Sequence, residues 1–88
     1  MKVLKFGAVW CPGCLVMKPR WAKIEEELAW LETEYYDINE REDLVEKYQL
    51  IDYPVFVFLD KNGREFLRLS GEIDRKELRK IIIDNKNR

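Results

Sequence analysis

The apolar positions of this 88-residue chain change their period several times, and each change marks an element. Residues 2 to 6, "KVLKF", alternate loosely and are rich in strand formers, and "GAVW" leads from them to a pair of cysteines. From Pro12 to about Trp30 the spacing turns helical. Leu15, Val16, Trp21, Ile24, Leu28 and Leu31 form the expected buried stripe, with Glu25, Glu26 and Glu27 on the solvent side. Residues 33 to 38, "TEYYDI", read as a second strand. "NEREDLVEKYQL" reads as a short helix with Asn39 as its N-cap and Leu44, Val45 and Tyr48 facing inward.

"YPVFVFL" is apolar on both faces, as a strand in the middle of a sheet would be. "DKNG" is a turn sequence and "REFLRLS" a further strand, so the two strands are expected to form a hairpin. The last helix starts near Asp74, with Glu77 completing a capping box and Leu78, Ile81 and Ile82 supplying the inner face. The predicted order is βαβαββα. The two helical connections predict parallel strand pairs and the hairpin an antiparallel edge, giving an α/β fold: a mixed four-stranded sheet flanked by three helices. No linker, repeat or low-complexity tract divides residues 1–88, and a chain this short has material for one core, so a single domain is expected.

Composition narrows the function more than it shapes the fold. With 47% hydrophobic and 38% charged residues the chain matches ordinary globular proteins. A net charge of −1, with acids and bases interleaved, provides no field to draw in nucleic acid or an anionic membrane, and no partner of either kind is expected. The longest apolar run falls far short of the roughly 20 residues of a spanning helix. "MKVLKFGAV" is too short for a secretory signal and reads as a core strand, so a cytoplasmic location is expected. There is no histidine, which removes Cys-His nucleophile systems and histidine-ligated metal. Two cysteines alone fall short of a closed zinc site. No metal or cofactor is expected, and thiol chemistry remains.

That chemistry centres on "VWCPGCL". If Pro12 opens the helix, Cys11 is its N-cap and Cys14 lies in the first turn, close enough for a disulfide without backbone movement. The unpaired N–H groups and dipole at the helix start favour thiolate at Cys11. Cys14, one turn inward, is expected to be the more buried and less acidic of the two. On that asymmetry Cys11 attacks a substrate disulfide and Cys14 resolves the mixed disulfide. Two readings stand beside this one: an idle pair of small buried residues, and a metal site completed by a second chain or a small thiol.

At these residues the sequence resembles the thioredoxin family, along nearly the whole chain. "FGAVWCPGC" is similar to that family's active-site segment, Pro19 falls where the family kinks its active-site helix, and "DYPVFVFLDKNGREFLRLSG" is similar to its cis-proline, hairpin and glycine stretch. The resemblance implies a thioredoxin fold and a protein-disulfide oxidoreductase with Cys11 as nucleophile, Cys14 as resolving thiol and Pro54 as the cis-proline. A substrate surface of Trp10, Pro12, Gly13, Tyr53, Pro54 and the neighbourhood of Gly71 goes with it. Electrons would come from a reductase or thiol pool, and a monomer is expected. Three features depart from the family. The dipeptide is Pro-Gly rather than Gly-Pro, and a proline after the first cysteine is a glutaredoxin feature. Lys5 stands where thioredoxins carry a buried aspartate, so it either modulates the thiols or lays its stem over apolar surface with its charge in water. The chain also begins at the family's second strand. The alternatives are a glutathione-dependent, glutaredoxin-like enzyme, against which "GAVW", Asp52-Tyr53 and the single glycine of "SGEID" speak, and a non-catalytic iron-sulfur or zinc module.

Overall fold

The seven elements form in the predicted order in the computed structural model, which describes all 88 residues. They are β1 (Lys2–Gly7), α1 (Pro12–Glu27), β2 (Glu32–Asp37), α2 (Glu42–Tyr48), β3 (Val55–Leu59), β4 (Glu65–Ser70) and α3 (Arg75–Asp84). The four strands lie in the order β2-β1-β3-β4. β1 and β2 are parallel, joined through α1, while β3 runs antiparallel to β1 and to β4. The sheet is mixed, as expected, but only one of the two helical connections produces a parallel pair. The reason is reach. A seven-residue helix spans about 10 Å, whereas a six-residue strand such as β2 runs roughly 20 Å. So α2 cannot carry the chain back along the sheet, and β3 sets out from the end where β2 stopped. The register shows it: Gly7 pairs with Asp37, and Phe6 with Val55.

Alternation along the central strands divides the core in two. Val3 on β1 and Phe56 and Phe58 on β3 pack with Met17, Trp21 and Ile24 of α1 and Leu78 and Ile82 of α3. Leu4, Phe6, Val55, Val57 and Leu59 point the other way, to where Leu44, Val45 and Tyr48 of α2 close the opposite face. All five residues of β3 are buried, as a strand apolar on both faces requires.

Local chemistry departs from expectation in four places. α2 starts at Glu42 with Arg41 in the cap position and no side-chain cap bond. Asn39 instead sits in the preceding turn, its N–H donating to Asp37 Oδ1 at 2.8 Å, an Asx turn that competes with helix initiation. Leu15 is 64% exposed rather than part of the stripe, and Met17 takes its place inside. Glu25 faces inward, not into solvent. At α3 the Asp74 carboxylate accepts from the Lys76 and Glu77 amides as a cap should, but Glu77 makes no bond back.

Candidate active site

Both cysteines lie at the end of the sheet where β1 and β2 finish and β3 begins. Pro12 occupies the first turn of α1, where its missing N–H costs nothing, and Cys11 is the N-cap in extended conformation. The Cys14 amide donates to Cys11 Sγ at 3.2 Å, so the cap's side-chain acceptor is a sulfur instead of the usual oxygen. The two cysteines form a disulfide, with a Cα separation of 5.2 Å. That lies inside the range a disulfide tolerates.

Burial reverses the expected asymmetry. Cys11 is only 3% exposed, packed among Leu4, Phe6, Ala8 and Ile38, whereas Cys14 is half-buried. Gly7 lies on the same face of β1 as Lys5, two residues on, and a Cβ built there would stand 2.9 Å from Cys14 Sγ and 3.3 Å from the Tyr35 hydroxyl. With no side chain at Gly7, Cys14 Sγ can approach β1 closely, and both residues line a cavity of about 490 Å³ between β1 and α1. The alternation Val3, Lys5, Gly7 was the signal in the sequence that could have located it.

Lys5 projects into the same cavity. Its ammonium bonds Glu25 Oε2 at 2.6 Å and lies 5.5 Å from the centroid of the Trp21 ring, with the side chain 15% exposed. Glu25 is shared with the Thr33 hydroxyl at 3.0 Å. The cation is thus neither an unpaired charge aimed at the sulfurs nor in open water. A carboxylate from α1, one the sequence placed on the solvent side, neutralises it. Lys18 and Asp37 add one charge of each sign to the lining. Trp21, also on the wall, buries its Nε1 without a hydrogen-bond partner. Burial, with Asp37 and Glu40 nearby, pushes the Tyr35 phenol above its usual range, so the hydroxyl keeps its proton at neutral pH.

On the outer side of the pair the Tyr53–Pro54 peptide bond is cis. Pro54 is buried against the active-site turn, since a Cβ on Gly13 would meet Pro54 Cδ at 3.0 Å. The Pro54 carbonyl accepts from the Gly71 amide at 2.9 Å, and Gly71 adopts φ 81°, a left-handed conformation natural to glycine. Tyr53 makes no backbone hydrogen bond of its own. Its ring meets Trp10 edge-on at 6.5 Å. Trp10 is 61% exposed and so belongs to the surface rather than the core; Val9 and Leu15, near it in sequence, and Ile51, two residues before Tyr53, are also exposed. Trp10 and Gly13 flank the cysteines in sequence, Tyr53 meets Trp10, and Pro54, packed against Gly13, lines the cavity together with Cys14. Pro19 lies inside α1 away from this group, where it leaves the Leu15 carbonyl without its helical donor. No helix is long and apolar enough to cross a membrane.

Comparison with known proteins agrees with this geometry. The family model described as Thioredoxin matches residues 1–84. Thioredoxin H7 of Arabidopsis thaliana is 33% identical over 79 residues, 90% of this chain and 60% of its own length. Thioredoxin-1 of Caenorhabditis elegans is 30% identical over 83 residues, 94% of this chain and 70% of its own. Among solved structures, thioredoxin NaTrxh of Nicotiana alata superposes with a TM-score of 0.85 at 28% identity, covering 94% of this chain and 70% of that one. The chain thus spans about three fifths of the plant H7 protein that it matches.

Proposed function

The chain belongs to the thioredoxin family, and from that footing we propose that it is a thiol-disulfide oxidoreductase acting on protein disulfides through Cys11 and Cys14. The observation that carries the reading is the pair itself, closed as a disulfide across the first turn of α1, with an N–H already bonded to the Cys11 sulfur. In the reduced state that N–H and the helix start stabilise Cys11 as thiolate, which makes it the attacking sulfur. Cys14 then displaces the substrate from the mixed disulfide. The assignment rests on stabilisation of the thiolate, since exposure alone would favour Cys14.

Substrate would lie over Trp10, Pro12, Gly13 and Tyr53, beside Gly71. The unpaired backbone of Tyr53 supports addition of an extended segment of the partner as a short strand. Residues 1–88 work as one monomeric domain in a cytoplasmic setting, with a reductase or thiol pool as electron donor. Cys11→Ser is expected to abolish turnover of a protein disulfide, and Cys14→Ser to accumulate covalent complexes that mass spectrometry maps to Cys11. Complexes mapped to Cys14 in the Cys11→Ser variant, with none in the other, would reverse the roles. Absence of complexes in both would overturn the reading.

A further inference from the structure

The missing side chain of Gly7 lets a second group close in where the Cys14 sulfur packs. The place a Gly7 Cβ would take lies 2.9 Å from Cys14 Sγ and 3.3 Å from the Tyr35 hydroxyl, so both atoms close on the same stretch of bare β1 backbone. Tyr35 reaches it from β2, where it pairs in register with Lys5 and shares the face that Lys5 and Gly7 present to α1. The Tyr36 hydroxyl donates to Glu34 and that of Tyr53 to the Leu50 carbonyl, whereas the Tyr35 hydroxyl donates to no protein group. Burial is the first cause that holds its phenol above the usual range, although the residue is 56% exposed overall. An uncommitted O–H thus stands beside the sulfur that lacks a donor, since the Cys14 amide serves Cys11 Sγ.

We propose that the Tyr35 hydroxyl donates a hydrogen bond to Cys14 Sγ in the dithiol and mixed-disulfide states, and so raises the share of thiolate at the resolving cysteine. This rests on the exchange reading above, with Cys11 as nucleophile, and adds a residue to it. Once Cys11 is joined to a substrate sulfur, Cys14 gives up its proton to solvent and its thiolate attacks Cys11 Sγ. The Cys11–Cys14 bond forms and the bond from Cys11 to the substrate breaks. The electron pair leaves on the substrate sulfur, which takes up a proton from solvent, so two electrons have passed from the dithiol to the substrate disulfide. The Tyr35 proton stays on its oxygen throughout. The benefit of its bond is bounded. For each tenfold gain in the acidity of the thiol, the thiolate fraction rises tenfold below the titration midpoint, but each thiolate attacks about threefold more slowly. One hydrogen bond to a charged sulfur therefore speeds resolution by about three- to tenfold near neutral pH, and no longer helps once Cys14 is fully ionised.

The test is stopped-flow reaction of the reduced chain with an aromatic disulfide, dithiobis(nitrobenzoate). Attack by Cys11 releases one coloured thiolate at a rate proportional to the reagent, and attack by Cys14 on the mixed disulfide releases a second at a rate independent of it. Tyr35→Phe keeps the ring and removes the hydroxyl, with circular dichroism to check folding. The charged groups that share the cavity with Cys14 are the same in both chains: Lys5 from β1, Lys18 and Glu25 from α1, and Asp37 from β2. In the variant the second phase is expected to slow by about three- to tenfold near neutral pH, with the first phase within about twofold of the parent. The pH midpoint of the second phase is expected to rise by about one pH unit, and its alkaline plateau to be no lower than the parent's. A second phase unchanged in rate and midpoint, one slowed by the same factor at every pH, or two phases slowed alike would each overturn the proposal. A parent that shows the first phase and no second would overturn the exchange reading and this one with it. A parent with both phases and an unresponsive Tyr35→Phe would overturn this one alone.

Discussion

Lys5 and Glu25 form a charged pair on the face of the sheet that packs α1, with side chains 15% and 32% exposed. A pair at this depth falls between exposed bridges, worth up to about 1 kcal/mol, and fully buried ones, whose disruption costs about 3–5 kcal/mol. Lys5→Met leaves Glu25 without its cation, and Glu25→Gln leaves the ammonium facing the Trp21 ring and a neutral amide. Each single change is expected to cost about 1–2 kcal/mol in urea denaturation, because a half-desolvated charge loses its partner. The double variant is expected to recover at least about half of the summed loss. Additive losses would show that the two side chains contribute independently and not as a pair.

The hairpin between β3 and β4 depends on Asp60, whose Oδ1 accepts the Asn62 amide at 2.8 Å and the Arg64 amide at 3.0 Å. The Arg64 bond, then the Asn62 bond, hold its carboxyl below the usual carboxylate range. A carboxyl depressed in the fold adds stability above its unfolded pKa, and that share is lost as pH falls through the folded value. Asp60→Asn is therefore expected to narrow the difference in urea midpoint between about pH 6 and about pH 2.5, a range that brackets the ordinary aspartate value near 3.9. An unchanged difference would mean the turn is held by its backbone alone. This turn, like the helix starts at Pro12 and Asp74, was legible because its chemistry is local to a few residues. What the sequence did not show is what depends on distance in space. Glu25 sits in a run of three glutamates, and nothing local says that one of them turns inward to a strand lysine. The orientation of β3 depended on whether α2 was long enough to return along the sheet, a question of length that periodicity does not answer. The close packing of Cys14 on β1 needs Gly7, which local reading passed over as part of a connecting segment.

The whole molecule acts on the disulfide as a ligand acts on an equilibrium. The folded chain and the disulfide are linked by a thermodynamic cycle: whichever redox state the fold prefers is also the state that resists unfolding more. Two effects compete at Cys11. One N–H bond favours its thiolate, while 3% exposure amid an apolar cluster disfavours any charge and suits a neutral disulfide. The cross-link also closes a segment with a sequence separation of only three, for which chain entropy gives about 2 kcal/mol. Burial and cross-link act together against a single hydrogen bond. The oxidised form is therefore expected to be the more stable in urea by about 2 kcal/mol, a large share of the roughly 5–15 kcal/mol of a small domain. Through the cycle, folding should lower the reduction potential of the pair by roughly 40 mV relative to the unfolded chain, since 30 mV corresponds to about 1.4 kcal/mol for two electrons. Urea unfolding of both redox states, and equilibration of the native and urea-unfolded pair in dithiothreitol buffers, measure the two sides independently. A more stable reduced form would mean that the helix start outweighs burial at Cys11, and the pair would then act as an oxidant of its partners instead of a reductant.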